Sequence, residues 1–230
     1  PVAGLVSKKY GNELRARISL EKATPSKDIR AGDPLPYESD QTTHFSVIDK
    51  DGNAVANTYT LNFSYGLGMI AAGTGVMLNN ELDDFAATVG APNAFGLMGG
   101  DANAPGPRKR PLSSMSPTLV FKDGQLEIIT GSPGGSRIIT TVLQVLMNII
   151  DHGMNAAEAS EAVRVHHQLY PDELRVERGL SPDTISLLEK KGHVVREQKA
   201  MGSTQTIQRV KDEIHGAADT RQMGTAAVGY

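Results

Sequence analysis

Two pairs of alternating runs, each folded back across an Asp-Gly, limit most strongly what this chain can become. Phe45-Ser46-Val47-Ile48 and residues 55–61 flank Asp49-Lys50-Asp51-Gly52-Asn53, while Thr118-Leu119-Val120-Phe121 and Leu126-Glu127-Ile128-Ile129 flank Lys122-Asp123-Gly124-Gln125. Asp-Gly supplies the left-handed turn that matches strand twist, so each pair predicts an antiparallel hairpin. Residues 204–210 and 214–217 around Lys211-Asp212-Glu213 predict a third. Between them the pattern changes to a helical period over residues 136–152, and Asn155 with Glu158 three residues on reads as a capping box. Ser181 as cap, Pro182 at the first helical position, a buried face of Ile185, Leu187 and Leu188, and Gly192 past the end bound another helix. Tyr10, Leu14 and Ile18 recur at four-residue steps and predict an amphipathic helix over 7–18, with Ser7 as its N-cap. Hairpins at both ends with helices between predict α+β layers rather than a βαβ repeat.

The 230 residues suit a single sandwich-sized unit, and no internal repeat is present. A net charge of −3 leaves no basic excess to neutralise phosphates, which argues against nucleic acid as a partner. The absence of cysteine removes thiol catalysis, thiolate zinc sites and disulfides. The apolar stretch 138–150 is broken by Thr140, Thr141, Gln144 and Asn148 and is too short for a membrane span. The first residues, Pro1-Val2-Ala3-Gly4-Leu5-Val6, lack an initiating Met and the order of a signal peptide, and we expect the chain to begin in mid-protein.

Four stretches carry candidate chemistry. Pro25, Gly32, Pro34 and Pro36 mark residues 23–40 as an exposed loop, and directly behind it stand Gln41 and Thr42. A cut before Thr42 would create an α-amine with a pKa of about 7.7–8.0, able to take the threonine's own hydroxyl proton. Across the predicted hairpin Thr60 falls near Thr42, although two strand threonines are also ordinary. Thr130-Gly131-Ser132-Pro133-Gly134-Gly135-Ser136 lies between a strand and the long helix, where glycine N–H groups and the helix dipole can hold an oxyanion; a plain turn is the alternative. Asn79-Asn80-Glu81-Leu82-Asp83-Asp84-Phe85 offers carboxylates to a substrate ammonium, or is a solvated face. The hydroxyls of Pro111-Leu112-Ser113-Ser114-Met115-Ser116-Pro117 can hold a carboxylate, or simply end a loop. Residues 90–107, with five Gly, three Pro and Phe95, read as a mobile lid. His166 and His167 fall on a helix-like segment without ligand spacing, and Asp49, Asp51 and Asn53 read as turn chemistry rather than a calcium loop, so no metal or cofactor is expected.

In order and spacing, Thr42-Thr43-His44-Phe45-Ser46, Thr58-Tyr59-Thr60-Leu61-Asn62, residues 78–85, residues 111–117 and Gly131-Ser132-Pro133-Gly134-Gly135-Ser136-Arg137 resemble the small-subunit region of gamma-glutamyltranspeptidases. The resemblance covers residues 42–230, and residues 1–41 resemble the end of that family's large subunit. It implies an N-terminal nucleophile hydrolase with an αββα four-layer sandwich, partial without the large subunit, and a precursor that cuts itself at Gln41–Thr42. It further implies that Thr42 is the nucleophile of both maturation and γ-glutamyl transfer, with Thr60 activating it and Gly134 and Gly135 forming the oxyanion hole. Asn62, Glu81 and Asp84 would receive the α-ammonium, Ser113 and Ser114 the α-carboxylate, and Phe95 would be the lid aromatic. The family's carboxylate-clamping arginine has no match in residues 1–41. The implied partners are a large-subunit chain or missing N-terminal part, γ-glutamyl compounds such as glutathione, and water or amine acceptors. The implied compartment is periplasmic or secreted. The alternatives are a cephalosporin (glutaryl) acylase of similar fold and a non-catalytic, unprocessed remnant.

Overall fold

A computed structural model describes residues 6–29, 41–86, 88 and 99–229. Residues 90–98 of the expected lid, Phe95 among them, and residues 30–40, which hold most of the loop before the junction, lie outside the described residues; the described half of that lid, residues 99–107, is not bare loop, since Asp101–Asn103 form a 3-10 turn with Asn103 buried.

The three hairpins form where their turns place them. β1 (Gln41–Ile48) pairs antiparallel with β2 (Ala54–Asn62), β3 (Thr118–Lys122) with β4 (Gln125–Thr130), and β8 (Gln205–Val210) with β9 (Glu213–Ala218). β4 then pairs with β8, so the second and third hairpins merge into one sheet in the order β3-β4-β8-β9. The β1-β2 hairpin lies against that sheet, with contacts from β1 to both β4 and β8. Its faces differ as a period of two requires: His44 and Thr58 are buried, while Phe45, Val47, Val55 and Tyr59 on the other side are exposed. On the far side of the large sheet lie α2 (Arg137–Ile150) and α3 (Ala156–Glu161), with Ile128, Val145, Ile149 and Ala159 forming the core between strand and helices. The described residues therefore supply two sheets and one helix layer of the expected αββα sandwich.

Several expectations need correction. The first helix, α1 (Lys8–Ala16), is capped by Ser7, whose Oγ accepts the Tyr10 N–H at 3.2 Å, but it ends before Ile18 and buries none of its residues against the described chain. Residues 23–29 are not uniformly exposed: Ser26 opens a 3-10 turn, Ser26–Asp28, and is completely buried. His166 is on a strand, β5 (Val165–His166), which pairs with β6 (Leu174–Glu177); helix-like spacing misled because two residues are too few to show a period. A βαβ unit does occur. β6 and β7 (Val195–Gln198) are parallel, joined through α4 (Pro182–Lys190). Ser181 makes no side-chain cap there, Leu187 is exposed, and none of α4 is fully buried, because the helix contacts little beyond β7. The capping box at Asn155 and Glu158 forms as expected. Among the described residues no helix is long and apolar enough to cross a membrane.

Candidate active site

Five separated stretches are tied into one ring by hydrogen bonds, beginning at the first residues of β1. Thr42 stands opposite Thr60, and Gln41 opposite Asn62, which leaves Leu61 as an extra residue in a β-bulge. Beyond the bulge Asn62 is buried and takes a left-handed backbone, φ 72°, held by its N–H donating to Thr60 Oγ1 at 2.9 Å. That bond uses a Thr60 lone pair and leaves the hydroxyl proton to be donated elsewhere.

Asn80 fastens the end of β2 to the acidic turn. Its carbonyl accepts from Asn62 Nδ2 at 3.2 Å, its Oδ1 accepts the Phe63 N–H at 3.0 Å, and its own N–H donates to the Leu61 carbonyl at 3.1 Å. The next residues, Glu81–Asp84, form a single 3-10 turn in which Asp84 is buried. Burial first, then the hydrogen bond and charge of Glu81 and the charge of Asp83, push the Asp84 carboxyl up to about 8. Asp84 Oδ1 has no hydrogen-bond partner among the described residues. A carboxyl in that condition is stabilised by an arriving cation.

Asn103 makes the next link. Its Nδ2 donates to the Asp84 carbonyl at 2.7 Å and its Oδ1 accepts the Leu112 N–H at 3.1 Å, which brings the serine stretch beside the acidic turn. Ser113 is exposed and Ser114 buried; the Ser114 hydroxyl donates to the Gly135 carbonyl at 3.1 Å. Thus the serines reach the glycine turn that precedes α2.

In that turn Gly134 and Gly135 have φ of 137° and 57°, values that a side chain disfavours, and a Cβ on Gly134 would come within 3.1 Å of Gly202 Cα. Their carbonyls accept the N–H groups of Arg137 and Ile138, whereas neither glycine N–H donates to an acceptor among the described residues. Two free N–H groups at a helix start can hold an oxyanion. His44 closes the ring. Its imidazole lies over Gly131, where a Cβ would meet the ring at 2.2 Å, and burial lowers its pKa to about 4. Ser46 spends its hydroxyl proton on the Gln205 carbonyl at 2.8 Å, so His44 Nε2 donates to Ser46 Oγ at 3.1 Å. Nδ1 of the neutral ring then accepts from Thr58 Oγ1 at 2.7 Å.

Behind the glycine turn lies a buried charged group that sequence reading missed. Arg164, Asp219, Glu177 and Arg221 pair with one another. Arg164 also donates to the Met201 carbonyl at 2.7 Å, Glu177 accepts the Met201 N–H at 2.7 Å, and Asp219 accepts the Thr204 N–H at 2.9 Å. The 201–204 loop so fixed donates the Ser203 N–H to Ser132 Oγ at 2.9 Å and packs Gly202 against Gly134. His44, Asn80 and Asn103 were missed as connectors too. Only the position of His44 two residues beyond Thr42, on the same strand face, could have marked it.

The layered fold with a hydroxyl at the start of an inner strand defines the class: it is the fold of the N-terminal nucleophile hydrolases. Among solved structures the chain is similar to a mutant gamma-glutamyltranspeptidase of Helicobacter pylori, with 50% identity and a TM-score of 0.75 over 78% of this chain and 100% of that one. It is also similar to a cephalosporin acylase from Bacillus halodurans, with 25% identity and a TM-score of 0.81 over 100% of this chain and 40% of that one. Among curated proteins, the glutathione hydrolase proenzyme of Escherichia coli K12 is 58% identical over 231 residues, covering 100% of this chain and 40% of the relative. The family model of gamma-glutamyltranspeptidase matches residues 1–229, and the chain belongs to that family. It spans about 40% of the length of the curated relatives that it matches over its whole extent.

Proposed function

We propose that this chain is the catalytic part of a self-processing γ-glutamyl acyltransferase and hydrolase, acting on glutathione and related γ-glutamyl amides. Residues 42–230 are its small-subunit region and residues 1–41 the end of its large-subunit region. The observation that carries the reading is the ring itself, which gathers a strand-start threonine, an acidic turn with a buried Asp84, two serines and two glycine N–H groups that have no acceptor among the described residues, from stretches far apart in sequence. Two gamma-glutamyltranspeptidase chains of solved structure match 78% and 82% of this one over their whole length, about the share that residues 42–230 make up, which supports the division.

In maturation the Thr42 hydroxyl attacks the Gln41 carbonyl, the peptide shifts from nitrogen to oxygen, and water hydrolyses the ester. In turnover the freed Thr42 amine takes the hydroxyl proton while Thr60 donates to Thr42 Oγ and orients it. The oxygen adds to the γ-carbonyl, and the resulting oxyanion is held by the N–H groups of Gly134 and Gly135. The carbon–nitrogen bond breaks, the proton passes to the departing amine, and water or an acceptor amine then removes the γ-glutamyl group from Thr42. Glu81, Asp84 and Asn62 hold the substrate ammonium, which replaces the proton that Asp84 carries in the empty site. Ser113 and Ser114 hold the α-carboxylate, and Phe95, the lid aromatic by resemblance, governs water access to the acyl-enzyme. A large-subunit partner supplies the remaining carboxylate clamp, and the location that goes with this reading is periplasmic or secreted.

The likeness to a cephalosporin acylase offers a second reading, a glutaryl donor. A glutaryl group carries no ammonium for Asp84, and comparing glutaryl with γ-glutamyl amides separates the two. The deciding experiment expresses the chain with the N-terminal portion that its relatives carry. N-terminal sequencing should find a product beginning at Thr42, and Thr42→Ala should remain one uncut, inactive chain. Normal cutting in Thr42→Ala would overturn the assignment.

A further inference from the structure

The acidic turn and the serine stretch meet through one buried residue, Asn103, at the end of the 3-10 turn Asp101–Asn103. Its Nδ2 donates to the Asp84 carbonyl at 2.7 Å and its main-chain carbonyl accepts the Ala86 N–H at 3.0 Å, so it grips the chain on both sides of Phe85. Its Oδ1 accepts the N–H of Leu112, one residue before Ser113, at 3.1 Å. Its own N–H donates to the Gly100 carbonyl at 3.0 Å and closes the turn. The side-chain amide has one workable orientation, because a flip would set its NH2 against the Leu112 N–H and its oxygen against the Asp84 carbonyl. A brace acts from outside as well. The exposed Lys109 donates through Nζ to the carbonyls of Ala102 and Ala104, the residues flanking Asn103, at 3.2 and 2.9 Å.

In the proposed function Asp84 receives the ammonium, and Ser113 and Ser114 the carboxylate, of one and the same substrate carbon. Two groups fixed to one atom can be held together only by a site whose acceptor and donors stand at a matching separation. Asp84 lies in a four-residue 3-10 turn and the serines in a stretch that is neither helix nor strand, so neither element sets that separation by itself. We propose that Asn103 is a positioning residue that sets it, and thereby makes the site selective for donors that carry both groups. Asn103 bonds to main-chain atoms of Asp84 and Leu112, which leaves the Asp84 carboxyl and the serine stretch facing the substrate. The proposal rests on the γ-glutamyl reading and adds the residue that creates its double requirement.

Three donors test this on the processed full-length enzyme: γ-glutamyl p-nitroanilide, glutaryl p-nitroanilide, which lacks the ammonium, and 4-aminobutyryl p-nitroanilide, which lacks the carboxylate. Asn103→Ala should lower kcat/KM for the γ-glutamyl donor by about 10- to 100-fold, the factor for losing one charge-assisted hydrogen bond to the substrate. For the two truncated donors kcat/KM should stay within about threefold, since each uses one side of the site and gains nothing from the spacing. Lys109→Met keeps every Asn103 bond but removes the outer brace, and should narrow the preference for the γ-glutamyl donor by about two- to tenfold. A parallel fall for all three donors in Asn103→Ala would overturn the positioning role, because a general loss of structure spares no substrate. An unchanged preference would overturn it too. Should Asn103→Ala not fold, Lys109→Met decides by the same two criteria. A parent enzyme that uses either truncated donor as well as the γ-glutamyl one would instead remove the γ-glutamyl reading, and this proposal with it.

Discussion

Adding one methyl group at Gly131 should damage both stability and catalysis, through His44. A Cβ there would lie 2.2 Å from Cε1, 2.4 Å from Nδ1 and 2.6 Å from Nε2 of the imidazole, whereas non-bonded atoms settle at about 3.5–4.0 Å. The ring would have to retreat by roughly 1 Å or more to restore that spacing. It has little room to do so, since it is buried and held at 2.7 Å to Thr58 and 3.1 Å to Ser46. Overpacking of this kind costs about 1–3 kcal/mol, and each of the two lost hydrogen bonds adds about 0.5–1.5 kcal/mol, so Gly131→Ala should destabilise by about 2–6 kcal/mol. In a chain of this size that lowers the midpoint by on the order of 10 °C. The ring joins the strand of Thr42 to the stretch that leads into Gly134 and Gly135, so its displacement also shifts Thr42, the proposed nucleophile, against the glycine N–H groups proposed to hold the oxyanion. A misplacement of about 1 Å costs on the order of 100-fold in rate. Thermal unfolding in the Thr42→Ala background isolates the stability effect, and single-turnover acylation in the processed enzyme isolates the rate. His44→Ala should itself destabilise, yet in combination with Gly131→Ala it should cost much less than the two separately, because the new methyl then occupies vacated space. Strict additivity, or a Gly131→Ala midpoint within about 1 °C of the parent, would refute the argument.

Two pH dependences follow from the same site. The Asp84 carboxyl keeps its proton up to about 8 in the folded chain but ionises near the ordinary carboxylate value of about 4 when unfolded, so it costs stability increasingly from pH ~4 to ~8 and by a constant amount above. Asp84→Asn should therefore raise the melting temperature most above pH ~8 and hardly at pH ~4, and under the proposed function it should raise KM for γ-glutamyl donors; an equal gain at both pH values would refute the buried, neutral carboxyl. His44 and His166 are both lowered to about 4, in each case first by burial. Their unfolded rings take up protons below pH ~6.5, so the stability that they provide is complete above that value and is lost as pH falls towards ~4. The double variant His44→Gln, His166→Gln should flatten the melting-temperature profile between those limits, and an unchanged slope would locate acid sensitivity elsewhere.

The legible parts of this molecule are those whose cause is local. The Asp-Gly turns and the Asn155–Glu158 capping box each depend on a few adjacent residues, and each forms as its residues require. The β5-β6-β7 sheet was not legible. Its strands are short, one of them only two residues, and its parallel pair is joined through a helix that buries little, so neither period nor composition marks it. The exposed-loop reading failed at Ser26 for a related reason: its partner Asp172 is 146 residues away.

The sequence by itself determined the hairpins, the two glycines with left-handed backbones before α2, and the order of five stretches whose residue types suit an acyl-transfer site. Only the tertiary structure decided that these stretches share one site, because the bonds that join them run through Asn80, Asn103, Ser114 and His44 between residues distant in sequence. It also decided which acid in the Glu81–Asp84 turn is the unusual one. Burial, which no run of letters displays, holds the proton on Asp84 and leaves its Oδ1 waiting for a donor.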